Sequence, residues 1–260
     1  MQKRTGWLVA LGALALLAFA LATLPAGIVA GPLGKAGIEA AGFNGSVWSG
    51  HATALAWRGA PMGDLDWTLS PLALLRARAS GHARLLRADG GLQTDFDTSF
   101  GGGDIRLDAL ELALPISALD GLPLGIPKGW RGRLSGRLDE VRLEQRWLTA
   151  LRGTLDLDGL VAPPPRNAPI GSFRAVLPHP SPQPSLSVPN DPANLTARIV
   201  DKEGPYAVDA QLTLNRQRSF SLDGTLAPRG AVPQSMQRSL ELLGPADASG
   251  RRQFSIGGSF

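Results

Sequence analysis

Hydrophobic and polar positions fall into two regimes along the chain. The first is an unbroken apolar run, Trp7 to Leu24, within a stretch that is uncharged from Thr5 through Gly34 and preceded by Lys3 and Arg4. A bilayer-spanning helix takes about 20 apolar residues, and basic residues on one flank alone orient that flank toward the cytoplasm. The run is read as a retained single-pass anchor over 7–25, following a cytoplasmic tail over 1–6. A cleaved signal peptide is the competing reading, since Ala20-Leu21-Ala22 resembles a cleavage site, but its apolar core would span only about 7–15 residues. Under either reading the remainder, 26–260, is exported.

Pro25 ends the run, because proline cannot continue a helical hydrogen-bond ladder, and one short interfacial turn is expected over Lys35 to Ala41. The period then changes to two. Leu65, Trp67 and Leu69 share one face of a strand, and Asp64, Asp66 and Thr68 share the other, the signature of a half-buried strand. The same alternation places Leu92, Phe96 and Phe100 on one face before the glycine turn at 101–103. Ile105 and Leu107 follow, then Leu110, Leu112 and Leu114 on the other parity, which predicts a β-bulge near Ala109. Leu134 and Leu138, then Val141 and Leu143, show a second parity slip. Further strands carry Leu151, Leu155 and Leu157; Phe173, Ala175 and Leu177; Leu195, Ala197 and Ile199; Tyr206 through Leu214; Phe220, Leu222 and Leu226; and Phe254, Ile256 and Phe260.

Short strands joined by Gly, Asn and Asp turns predict a mainly β fold, a curved antiparallel meander with a few short helices. Helical turns are expected at Pro71–Leu75 and Ile116–Leu119, with a longer helix from Pro233 to Leu243 stopped by Gly244. These are read as plugs for the open ends of a curled sheet. Ten of the 21 prolines fall between Pro163 and Pro192, so 162–194 is read as a proline-rich loop interrupted by a strand over Gly171 to Leu177. It is taken as a stiff surface connection in preference to a docking ligand.

Composition removes several functions. There are no cysteines, hence no disulfide framework, thiolate metal site or thiol nucleophile. The net charge of +4 comes from arginines scattered singly, and aromatics make up 6%; a nucleic-acid surface needs clustered basic residues with interleaved stacking aromatics. His51, His82 and His179 have no ligand spacing. Asp64/Asp66, Asp95/Asp97 and Asp156/Asp158 each place two carboxylates on one strand face, as a solvated face does, whereas catalytic carboxylates face each other from different elements. No phosphate loop or nucleophile elbow is present. No enzyme, metal or cofactor is expected. Trp48, Trp57 and Trp67 are read as core anchors of the first strands in preference to interfacial residues.

Val47-Trp48-Ser49-Gly50-His51-Ala52, following a run that ends in Leu24-Pro25, resembles the V-W-x-G-x-A opening of the type II secretion system protein N family (GspN). The block from Met62 through Trp67 and Pro71 to Leu75 is similar to that family's LG-x-L-x-W-x-L-x-P-x-x-L-L element. Gly171-Ser-Phe-Arg-Ala175 is similar to its mid-chain strand, although the proline-rich stretch around it is longer than the family pattern. Leu240–Gly244 with Gly250, Gly258 and Phe260 resembles its closing pattern.

The resemblance implies a single-pass inner-membrane accessory subunit with its β domain in the periplasm. It would be a non-catalytic scaffold supporting export of folded proteins. Its partners would be other secretion components, the inner-membrane platform or the outer-membrane secretin, and the membrane through its N-terminal helix. Edge-strand addition through Arg252 to Phe260 is one route to a partner. The family is also similar to AsmA-like envelope proteins with half-barrel sheets, which implies the alternative of phospholipid binding or transfer on an apolar concave face.

Overall fold

The alternation translates into strands with little loss. The structure, a computed structural model, describes residues 16, 19–20, 23–35, 37–100, 103–120, 128–145, 147–177, 194–230 and 243–259. A 3-10 turn, Ala26–Val29, and a short α-helix, Ala30–Lys35, precede the sheet. The strands are β1 (Ile38–Glu39), β2 (Gly42–Gly45), β3 (Ser49–Trp57), β4 (Ala60–Leu69), β5 (Arg78–Arg87), β6 (Gly90–Ser99), β7 (Asp104–Pro115) and β8 (Arg131–Glu144). They continue as β9 (Trp147–Val161), β10 (Pro169–Leu177), β11 (Leu195–Glu203), β12 (Tyr206–Leu214), β13 (Ser219–Pro228) and β14 (Arg252–Ser259).

All belong to one 14-stranded antiparallel sheet. From β3 to β14 every strand pairs with its predecessor in the chain, while β1 and β2 both lie along β3. Among the described residues no pairing joins the first strands to the last, so the sheet is open. At a spacing of about 4.8 Å per strand, β3 to β14 extends about 50 Å across.

Register follows the apolar parity. Leu65 is opposite Leu85, Leu85 opposite Leu92, and Leu92 opposite Leu112. The row continues through Gly136, Leu155, Ala175, Ile199, Ala210 and Gly224. Both parity slips are bulges. Ala109 adopts φ 50 where the β6–β7 register shifts, and β8 shifts against β9 between Leu138 and Glu140. Each inserts one residue, so the leucines on either side of it return to the same face.

Four expectations are corrected. The turn at Lys35 to Ala41 gives way to a helix ending at Lys35 and to β1, whose Ile38 and Glu39 pair with Trp57 and Ala56. Phe100 lies just beyond β6 instead of within it. The strand β5 was not expected at all. The 3-10 turn Pro71–Arg76 plugs nothing: none of its residues is buried. The turn Ile116–Leu119 does plug an end, with Ile116 buried among residues of β7 and β8. The anchor over 7–25, the helix from 233 and the loop over 178–193 fall wholly or largely outside the described residues. Among the described residues no helix is long and apolar enough to cross a membrane.

Candidate interaction surface

The residues that carry the opening motif meet at one corner of the sheet. Turn 46–49 closes the β2–β3 hairpin, with the Ser46 N–H donating to Ser49 O at 2.9 Å. The end of the N-terminal run docks on that turn: the Val47 N–H donates to Leu24 O at 2.9 Å, and Pro25 bridges to Ser46. Gly50 pairs with Trp67 across β3 and β4. The Trp67 indole lies against Gly50, where a Cβ would fall 2.7 Å from Cε2 and 2.8 Å from Ser46 O. Its Nε1–H donates to Val47 O at 2.9 Å, and Phe43 meets the ring edge-on with centroids 6.5 Å apart. The Leu69 N–H reaches Trp48 O at 2.6 Å, and Pro71 then opens the exposed turn. Pro25, Val47, Trp48, Gly50, Trp67 and Pro71 thus form one junction that fixes where the apolar run leaves the sheet.

The other motif residues lie elsewhere. Gly171 sits at an irregularity of β10, against Glu203 O on β11. Gly244 and Gly250 shape the approach to β14. Asp247 orders it by accepting the backbone N–H groups of Ser249 (2.8 Å) and Arg251 (2.9 Å). Gly258 leaves room for the Phe220 ring, which would be 2.7 Å from a Cβ there.

The polar face is a ladder of cross-strand pairs. His51 meets Asp66 at 2.7 Å and His82 meets Asp95 at 3.1 Å. Arg78 pairs with Asp97. Gln93 and Arg137 both donate to Glu111, at 2.8 and 2.6 Å. Arg198 grips Asp209 with two hydrogen bonds, of 3.0 and 2.8 Å. The carboxylate pairs are therefore held by their neighbours across the strands, as on a solvated strand face. Among the described residues no cluster of three metal-ligating side chains occurs.

The densest network spans three strands. Arg174 holds Asp156 through Nε and Nη2 at 2.7 and 2.9 Å, and Lys202 donates to Asp158 at 2.8 Å while lying 3.4 Å from Asp156. Hydrogen bonding to Arg174, reinforced by the charges of Arg174 and Lys202, holds the Asp156 carboxyl below its ordinary pKa. A carboxyl depressed in the folded state adds stability above its unfolded pKa, and that contribution is lost as pH falls through the folded value. Asp156→Asn therefore lowers the melting temperature at neutral pH. The gap to the parent protein closes on acidification below about pH 4, the ordinary carboxylate range; thermal melts across a pH series read this directly.

The opposite face is apolar and mostly half-buried. Buried clusters are small: Ala52, Leu55 and Leu85 near the first strands, with Phe43, Leu65 and Trp67 packed on them, and Tyr206 with Val208 and Leu226 near the last. Between them Leu114, Leu138 and Val141 are buried, while Leu107, Leu112, Leu134, Leu157, Phe173 and Leu212 remain half-buried. Among the described residues β14, whose Ile256 is exposed, has no strand partner on its outer side, as is the case for β1 and β2 at the other end of the sheet. Sequence reasoning missed that the leucines of 71–76 face outward. The available signal was three leucines within four residues, at 72, 74 and 75, which fit neither a strand period nor a helix long enough to bury them.

Comparison with known proteins bears on this arrangement. The family described as type II secretion system (T2SS), protein N, matches residues 36–255. The type II secretion system protein N of Aeromonas hydrophila is 28% identical over 258 residues, covering 96% of each chain. That of Vibrio cholerae serotype O1 is 25% identical over 237 residues, covering 89% of each. No solved structure matches. With its motif corner, its single meander and a family match across nearly the whole sheet, the chain belongs to the type II secretion system protein N family.

Proposed function

We propose that the protein is a non-catalytic, membrane-anchored subunit of the type II secretion machinery, tethered to the inner membrane by its N-terminal run. Its sheet, in the periplasm, serves as a scaffold for other secretion components. The observation that carries this reading is the asymmetry of the sheet. One face pairs many of its charges across neighbouring strands, while the other offers half-buried leucines and phenylalanines about 50 Å across and ends at β14, which has no outer strand partner among the described residues. An extended apolar face and an unpaired edge are recognition surfaces for protein segments. A second reading rests on the same openness: an apolar face left half-exposed among the described residues also accommodates acyl chains, which makes lipid binding or transfer the alternative.

In-cell photocrosslinking from Leu112 and Leu222 on the apolar face and from Ser255 on β14 separates the two. Adducts with subunits of the secretion channel or the inner-membrane platform are expected. Phospholipid adducts from the apolar face, with no protein captured at any position, would replace the scaffold with lipid handling.

A further inference from the structure

The most exposed apolar side chains among the described residues are not scattered. Leu75 is 84% exposed, Leu72 73%, Leu16 72%, Phe19 68% and Phe100 63%, and every other large apolar residue lies at or below 54%. Leu16 and Phe19 belong to the N-terminal run. The remaining three share one end of the sheet, the end at which that run docks.

The hydrogen bonds fix this placement. Leu24 and Pro25 sit on turn 46–49 at the start of β3, and the next strand ends beside it, with the Leu69 N–H on Trp48 O. The turn Pro71–Arg76 projects from there, its base tied by Ser70 N–H to Ser80 O at 2.8 Å and by Ala77 N–H to Leu74 O at 3.0 Å. Phe100 follows at the end of β6, its N–H on Ala77 O at 3.3 Å. At about 4.8 Å per strand, these turns lie within about 20 Å of where the run departs. The opposite ends of β5 and β6, about 30 Å away, carry the polar turn at Ala88 and Asp89. Arg76, exposed at the base of the apolar turn, suits the phosphate zone of a bilayer.

We infer that Leu72, Leu75 and Phe100 insert into the interfacial zone of the same membrane that holds the N-terminal run, a second contact that sets the sheet upright on the bilayer. This rests on the reading of that run as an anchor. The contact reconciles leucines in water with a turn whose backbone is fixed: an apolar side chain at a membrane-proximal tip is covered by lipid, with a basic neighbour at headgroup level.

The absence of native cysteine allows single-site labelling of the full chain. Leu72→Cys, Leu75→Cys, Phe100→Cys, Ala88→Cys and Leu16→Cys are each labelled with an environment-sensitive fluorophore. Each labelled protein is then reconstituted in vesicles of phosphatidylethanolamine and phosphatidylglycerol. Spin-labelled lipid is expected to quench the labels at 72, 75 and 100 several-fold more than the label at 88, and aqueous iodide to do the reverse. Labels at 72, 75 and 100 that behave like 88 while 16 is lipid-quenched would overturn the membrane contact alone. A label at 16 that is also aqueous would overturn the anchor and the contact together. The three sites are read independently, so a variant that fails to fold does not remove the test.

Discussion

Gly50→Ala is expected to destabilise the protein by about 3 kcal/mol, lowering its melting temperature by about 6–12 °C. The added Cβ would enter the space of the Trp67 indole and stand 2.8 Å from Ser46 O. The indole is held in place, because its Nε1–H is bonded to Val47 O and the Phe43 ring packs against it. Alanine's better strand propensity returns only a fraction of this. The cause is checked in a Trp67→Leu background. Removing the indole costs stability by itself, yet adding Gly50→Ala to it costs much less than in the parent chain, since the two side chains no longer compete for one volume. Circular dichroism melts of the four proteins in detergent give the cycle; additive losses would place the cost elsewhere.

The second large effect is expected at Ala52, which is fully buried between Leu55 and Leu85 and opposite Leu65. Ala52→Asp puts a carboxylate among leucines with no partner on its face, a cost of about 4 kcal/mol or more at neutral pH. Burial penalises the charged form, so the folded pKa of the new carboxyl rises above its unfolded value. A group shifted that way is best tolerated in acid, and its penalty grows as pH rises through the folded pKa. Ala52→Asn, similar in shape, suffers the loss of packing and the buried amide but not the pH dependence. Urea midpoints of both variants on moving from mildly acidic to mildly alkaline pH should therefore diverge, with Asp falling and Asn flat.

Strands with large side chains on the inner parity could be read from the chain, and so could two bulges, because a slip in the leucine pattern at Ala109 or between Leu138 and Val141 has no other simple cause. The strand β5 escaped for a physical reason. Its inner parity runs Ala79, Gly81, Ala83, Leu85, where small residues stand opposite Trp67, Leu69 and Phe96 on the flanking strands and show no apolar period of their own. The strands β1 and β2 are too short to show a period. The corner motif was legible as a set of residues but not as a junction, since the hydrogen bond from Trp67 to Val47 depends on a register that spacing does not reveal. The same holds for the charge ladder: Asp95 and Asp97 were legible as a polar face, whereas their partners His82 and Arg78 lie 13 and 19 residues away. The turn at 71–76 was misjudged because leucine was assumed to be covered by protein.

The order of the sheet has a consequence for how the chain is made. From β3 onward every strand completes its pairing with the one synthesised just before it, so no segment has to wait for a distant partner. A chain emerging N-terminus first, from a ribosome or through a translocation pore, always has a finished template beside its newest strand. The contacts of the Trp67 corner are all within reach once β4 has emerged. Growth then proceeds like a zip closing in one direction, and the loop-closure entropy of each step stays that of a hairpin. At each stage the growing edge is occupied by the next residues to arrive, which shortens the interval in which a stray strand could capture it.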